Sequence, residues 1–235
     1  MRKKHEKYLY QLTFLPRLLP VNSYLVEEDN ELTLIDAALP YSFKEILRTA
    51  ESIGKPITKI CLTHAHDDHV GGLDNLKNKL PNAKVYISSR DAKLLAGDKS
   101  LQADEPNTPI RGGVPKGIQT KPDVLLNEGD AIGSLLTIST PGHTPGSLTF
   151  LDTRTNTLIA GDTFQIRGGI AVAGQLRVSF PFPAMATWNK EQALQSAKKL
   201  MKYKPALLAV GHGNLLNNPS SAMNHAIREA ERKIG

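Results

Sequence analysis

The sequence holds one cysteine, one tryptophan and no long apolar run, and each shortage closes off a class of protein. The single thiol, Cys61, excludes an internal disulfide; lying in the apolar run ITKICL, it reads as a small buried side chain rather than a nucleophile. There is no apolar stretch of about 18 or more residues, so no membrane-spanning helix is expected. The opening MRKKHEKYLYQLTF is charged and lacks the apolar segment and small-residue cleavage site of a secretory signal. The expected location is therefore the reducing cytoplasm, with residues 1–7 as a flexible basic start. Aromatic residues make up only 6% of the chain and do not interleave with basic ones, and no recognition-helix or zinc-finger spacing appears, so nucleic acid is not an expected partner. The net charge of +6 is spread over MRKKHEK, KKLMKYK and REAERK, as on a solvated surface, which still leaves room for an anionic small-molecule substrate.

What is present is a mixture of two periodicities. With 235 residues, 40% of them apolar, the chain can bury a substantial core, and a single domain over 1–235 is expected. Short β-branched runs predict strands over 8–14, 23–27, 31–36, 58–62, 84–88, 134–140, 147–151, 157–161 and 206–210. Amphipathic spacing predicts helices over 42–53, 70–80, 88–96, 189–203 and 219–233, with Gly54 and Pro81 closing the first two. Strands and helices mixed along the whole length imply sheets covered by helices, in the α/β or α+β class. Two Gly/Pro-rich stretches, 98–122 and 165–186, lack periodicity and are candidate pocket walls.

The chemistry lies at the strand ends. Five apolar runs each lead into a residue able to bind or orient a metal: Asp36, His64, His143, Asp162 and His212. Taken singly, the two aspartates are equally good turn formers and the later histidines equally good surface residues. Together with the cluster HAHDDH, which places His64, His66, Asp68 and His69 within six residues, they point to a metal site, because zinc accepts neutral imidazole and carboxylate oxygen. The cluster runs into the helix expected from Val70, whose N-terminal dipole favours an anionic Asp68 and a neutral His69, and Gly71 and Gly72 permit close backbone packing there.

These motifs, with PGHTPGS around His143, AGDT at Asp162 and VGHG at His212, resemble the metallo-β-lactamase superfamily over nearly the whole chain. The resemblance implies an α+β fold, a four-layer αββα sandwich, with a dinuclear site at the edge of the sheets. By position, one metal would take His64, His66 and His143, the other Asp68, His69 and His212, with Asp162 bridging and Asp36 orienting the cluster loop from behind. Two divalent ions are implied, zinc first, with manganese or iron as alternatives; they would activate a hydroxide for hydrolysis, and Asp68 or Asp162 would assist proton movement.

Departures from particular branches narrow the reading. Where cysteine-dependent β-lactamases of the family carry their ligand, this chain has Asp162; the added domain of the ribonuclease branches and the C-terminal helical region of glyoxalase II have no counterpart after His212. The lactonases typically place a tyrosine three residues after the bridging aspartate, and here that residue is Gln165. The expected function is hydrolysis of a small-molecule lactone, thioester or ester, in the manner of the compact glyoxalase II and lactonase-like hydrolases. The alternative is a sulfur dioxygenase acting on a persulfide with one iron. A homodimer is in keeping with the family. Candidate substrate contacts are Phe164, Arg167, Arg177 and Phe182, joined by Phe180, Met185 and Trp188, although the aromatics could equally pack under the loop and the arginines be solvated.

Overall fold

The β-branched runs between residues 2 and 88 become neighbours in one sheet. The structure is a computed structural model describing residues 1–234, and the chain divides into two compact units, residues 1–97 with 113–126 and residues 98–112 with 127 onward.

In the first unit the spatial order of the strands follows the sequence: β1 (Arg2–Glu6), β2 (Leu9–Phe14), β3 (Val21–Glu27), β4 (Leu32–Ile35), β5 (Ile57–Cys61), β6 (Lys84–Ser88) and β7 (Val124–Leu126). The first four pair antiparallel and the last four parallel. Parallel pairing requires crossovers, and helices supply them. α1 (Phe43–Ile53) connects β4 to β5, α2 (Asp67–Val70) and α3 (Leu73–Lys79) connect β5 to β6, and α4 (Ser89–Leu95) follows β6. α1 buries Ile46 and Ala50 from its expected apolar face and ends at Gly54, whose left-handed backbone (φ 80°) returns its N–H to the carbonyls of Ala50 and Glu51. Leu12, Leu25, Leu34, Ile35, Ile60 and Leu62 are fully buried.

The second unit carries a six-stranded sheet of β8 (Ala131–Ile132), β9 (Leu135–Ser139), β10 (Leu148–Asp152), β11 (Thr157–Ile159), β14 (Leu207–Ala209) and β15 (Leu216–Asn217), and a two-stranded pair, β12 (Phe164–Gln165) with β13 (Ala171–Val172). β11 and β14 are parallel, and the chain between them contains β12, β13, α5 (Phe182–Ala186) and α6 (Lys190–Leu200). α6 and the last helix, α7 (Ser220–Ile234), bury Ala193, Leu194, Leu200, Met223 and Ile227 in a core shared with Leu158, Phe164 and Leu208.

Three expectations change. The basic start is not a free tail: residues 2–6 pair with β2 as an edge strand, and its lysines suit an edge that must not recruit another chain. The stretch 165–186 contains β12, β13 and α5, each too short to show periodicity. The helix expected from Val70 starts at Asp67 and breaks at Gly71 and Gly72, so Asp68 and His69 lie inside its first turn.

Arg177, expected as an anion holder, instead donates through both terminal nitrogens to Glu229 on α7, each at 2.7 Å, and to the carbonyl of Ile170. It anchors the segment after β13 to the last helix. The Arg177 guanidinium, and after it Lys233, holds the Glu229 carboxyl well below the usual range, at about 2. A depressed carboxyl contributes stability that is present above its unfolded value and lost as pH falls through the folded one. Glu229→Gln should therefore cost about 1 kcal/mol at neutral pH for this partly buried, solvent-screened pair, with the difference in urea midpoint closing between about pH 4.5 and pH 2. Cys61 is fully buried and its thiol is pushed far up by that burial. It should resist a thiol reagent such as iodoacetamide in the native protein and react only in denaturant; rapid native labelling would contradict this.

Candidate metal centre

The first unit gathers its candidate metal-binding residues around one carboxylate. β4 ends at Ile35, and Asp36 then takes a left-handed conformation (φ 59°) that turns its side chain beneath the cluster loop. Asp36 Oδ1 accepts from the Thr63 amide at 2.8 Å; Oδ2 accepts from the Thr63 hydroxyl at 2.8 Å and from His69 Nδ1 at 2.8 Å. Thr63 gives its only hydroxyl proton to Asp36, so its 3.0 Å contact with His64 Nδ1 must run the other way, with the imidazole donating. Both Nδ1 atoms thus carry protons, and the Nε2 atoms of His64 and His69 keep their lone pairs.

Main-chain bonds lock this arrangement. Ala37 N donates to His69 O at 2.7 Å, and Ala65 N donates to Asp91 Oδ2 on α4 at 2.9 Å. A Cβ placed on Gly72 would lie 2.5 Å from the carbonyl oxygen of Ala37, so only glycine lets the two segments close. The imidazoles of His64 and His69 lie 4.1 Å apart between ring centres, and those of His64 and His66 lie 4.9 Å apart. The possible ligand atoms of His64 and His66 are within 4.8 Å of each other, as are those of Asp68 and His69. All three histidines are buried; the Asp68 side chain, at 32% exposed, is open to solvent.

The second unit contributes His143, Asp162 and His212, from the loops that follow β9, β11 and β14. His143 Nδ1 lies 3.1 Å from the Thr187 hydroxyl, which itself donates to the carbonyl of Pro183 at 2.7 Å. The imidazole is again the donor, and His143 Nε2 is left as an acceptor. That nitrogen sits 3.3 Å from Asp162 Oδ2, and His212 Nε2 sits 3.1 Å from the same oxygen. Two acceptors held this close while buried require a cation between them, a proton or a metal ion. Nitrogen and carboxylate donors around a shared oxygen fit a divalent transition metal. Gly142 positions the loop: at φ 140° it lies against α6 so tightly that a Cβ would come within 2.3 Å of Ala193 Cα, while the amides of Trp188 and Asn189 donate to the carbonyls of His143 and Gly142.

Each unit therefore gathers the metal-binding residue types expected of it, together with supporting groups that carry no motif. Thr63 adjoins the cluster in sequence, but Asp91 and Thr187 are too distant from it and from His143, respectively, for any pattern to reveal them. Among the candidate substrate contacts, Phe164 is fully buried in the helix-side core, which accounts for it as packing, and Phe182 is 57% exposed at the start of α5. Phe180 is buried, with its ring 5.3 Å from that of His212. Trp188 is buried and donates its indole N–H to the carbonyl of Thr108. The Arg167 amide donates to the carbonyl of His212, placing its main chain beside that histidine.

Comparison with known proteins agrees with this geometry. The family model of the metallo-beta-lactamase superfamily matches residues 16–212. The uncharacterized protein YobT of Bacillus subtilis (strain 168) is 61% identical over 232 residues, covering 99% of this chain and 100% of YobT. The probable metallo-hydrolase YflN of the same organism is 29% identical over 212 residues, covering 82% of this chain and 80% of YflN. A crystal structure of TTHA1623 in a di-iron-bound form aligns with a TM-score of 0.65 at 27% identity, covering 90% of this chain and 96% of that one. The expected α+β fold with its His/Asp metal-binding groups is thereby accounted for, and the chain belongs to the metallo-β-lactamase superfamily.

Proposed function

We propose that this protein is a dinuclear metal-dependent hydrolase of a small-molecule lactone, thioester or ester. One observation carries the reading: His64, His69 and His143 each commit Nδ1 to a carboxylate or hydroxyl oxygen and hold back Nε2 as a base, which is how an imidazole is prepared to bind metal. His64, His66 and His143 would hold one ion, Asp68, His69 and His212 the other, and Asp162, already close to two imidazole nitrogens, would be shared. The donors suit zinc, with manganese or iron as alternatives. When bound, such a pair supplies Lewis acidity and lowers the pKa of water to about 7.

The chain's own groups do the rest. Asp68, the open carboxylate of the set, takes the proton released as water attacks the carbonyl carbon and returns it to the leaving oxygen or sulfur. Asp162 fixes the imidazoles of His143 and His212. Asp36 touches no substrate and acts by holding His69 directly and His64 through Thr63.

The test is a metal count on the purified protein, combined with a panel of lactones, thioesters, carboxylic esters and phosphodiesters on the same preparation. Two divalent ions per chain with turnover of a lactone, thioester or ester are expected. Full occupancy without turnover across the panel would sink the proposal, and one iron with oxygen uptake on a persulfide would replace it with the dioxygenase. A second measurement isolates Asp36. Asn tolerates the left-handed backbone, but only one end of its amide accepts, so it cannot meet the Thr63 amide on one side and the Thr63 hydroxyl and His69 on the other. Asp36→Asn should weaken metal affinity about 10- to 100-fold in competition with a chromophoric chelator. Unchanged affinity would remove Asp36 from the supporting network.

A further inference from the structure

The second unit holds a cavity of about 300 Å³ whose lining residues include none of the candidate metal ligands or substrate contacts. Its walls come from the segment after β13, the first residue of α6 and the last turn of α7: Ala173, Leu176 and Ala230 are apolar, and Gln175, Lys190 and Lys233 are its polar residues. Gln175 is 5% exposed, and the backbone orients its carboxamide. Oε1 accepts from the Val172 amide at 2.6 Å, and the Gln175 amide donates to the Val172 carbonyl at 3.0 Å. A flip would set the side-chain NH2 against the Val172 N–H, so Nε2 is the end turned away from β13. Among the described residues Nε2 has no hydrogen-bond partner, although buried carboxamide donors in native proteins are almost always matched.

The two lysines give the cavity its charge. Gly174, in a left-handed conformation (φ 86°), brings the backbone against Lys190: a Cβ there would lie 2.6 Å from Lys190 Cγ and 3.4 Å from its Cβ and Cδ. The stem of Lys190 is thus laid along the wall, and its ammonium forms no ion pair among the described residues. Lys233 Nζ lies 2.9 Å from Glu229 Oε1, but Arg177 holds both oxygens of that carboxylate, so the three groups together leave one positive charge unmatched. Lys190 adds a second.

We infer that this cavity binds a small aliphatic anion, with a carboxylate or phosphate head held by Gln175 Nε2 and the ammonium groups of Lys190 and Lys233, and a short alkyl body against Ala173, Leu176 and Ala230. The three polar groups are all donors, since the one acceptor of Gln175 is engaged by Val172, so they match oxygen anions and repel a cation. The volume lies at the small end of ligand pockets, which suits an alkyl body of about six carbons. The site shares no residue with the metal centre and stands apart from the hydrolase reading.

The test is a titration of the full-length, nitrogen-15-labelled protein with hexanoate and with hexyl phosphate, followed by NMR at the side-chain amide of Gln175, whose signals are assigned by their loss in Gln175→Glu. At least one of the two anions should move these signals to saturation with a Kd of about 1 mM or tighter, and the tighter one identifies the head group. Hexan-1-ol, which keeps the body and loses the charge, and inorganic phosphate, which keeps the charge and loses the body, should each bind about tenfold or more weakly. Two variants then locate the site, read at the backbone amide of Gly174. Gln175→Glu keeps an acceptor for the Val172 amide but replaces the donor by a negative charge; Lys190→Met keeps the stem against Gly174 and, at an exposed position, leaves the fold intact. Each should weaken the anion about tenfold or more. Failure of both anions to saturate the Gln175 signals in that range, hexan-1-ol binding as tightly as the anions, or undiminished binding in either variant would overturn the inference. Changes confined to the signals of His143 and His212 would place the anion at the metal centre and overturn it equally.

Discussion

The carboxylate of Asp36 is the constraint on which the metal-binding half of the first unit depends. It is 2% exposed, sits in a backbone conformation that most side chains avoid, and accepts three hydrogen bonds from two residues of one loop. A buried anion is costly unless its oxygens are matched. Here the matching groups are the Thr63 amide and hydroxyl and the His69 imidazole, so the electrostatic requirement of one side chain fixes the tautomers of two others. The left-handed turn at Asp36 is the strain accepted for this, and it is held by bonds on either side, from Asp36 N to the carbonyl of Cys61 and from Ala37 N to that of His69.

The second unit reaches the same end by different means. Behind His143 stands a threonine hydroxyl, itself tied to a helix carbonyl, so the tautomer is set by the single proton a hydroxyl can give. The two devices differ in strength. A charged acceptor holds an N–H more tightly than a neutral one, in keeping with 2.8 Å at His69 against 3.1 Å at His143.

How far this was legible in the sequence follows from the kind of signal each residue sends. The ligand types announced themselves because each follows a strand, and strands are readable from β-branched runs; the loops after β5, β9, β11 and β14 stand where those runs predicted. Gly54 and the paired glycines after His69 also kept their meaning, since a left-handed cap or a close approach of backbones leaves few other residues eligible. Silent were contacts made at long sequence separation by ordinary residues. Thr187 meets His143 across 44 positions and Asp91 meets Ala65 across 26, and nothing in either neighbourhood distinguishes a threonine or an aspartate with such a task. The short elements within 165–186 were silent for another reason, because β12 and β13 have two residues each and an alternation of period two needs more than that to be seen.

That segment also shows why the expected roles of its side chains divided as they did. Arg177 could not both anchor the chain and wait for a substrate: its guanidinium is saturated by Glu229 and the Ile170 carbonyl, and the pairing lowers the Glu229 carboxyl far enough to keep it charged through the physiological range. Phe164 faces the core because β12 must cover α6 and α7 with an apolar side chain. Gln165, the other residue of β12, pairs with Ala171 across the ladder and is buried as well. The packing of this segment thus claims Arg177 and Phe164, two of the side chains that the sequence offered as substrate contacts.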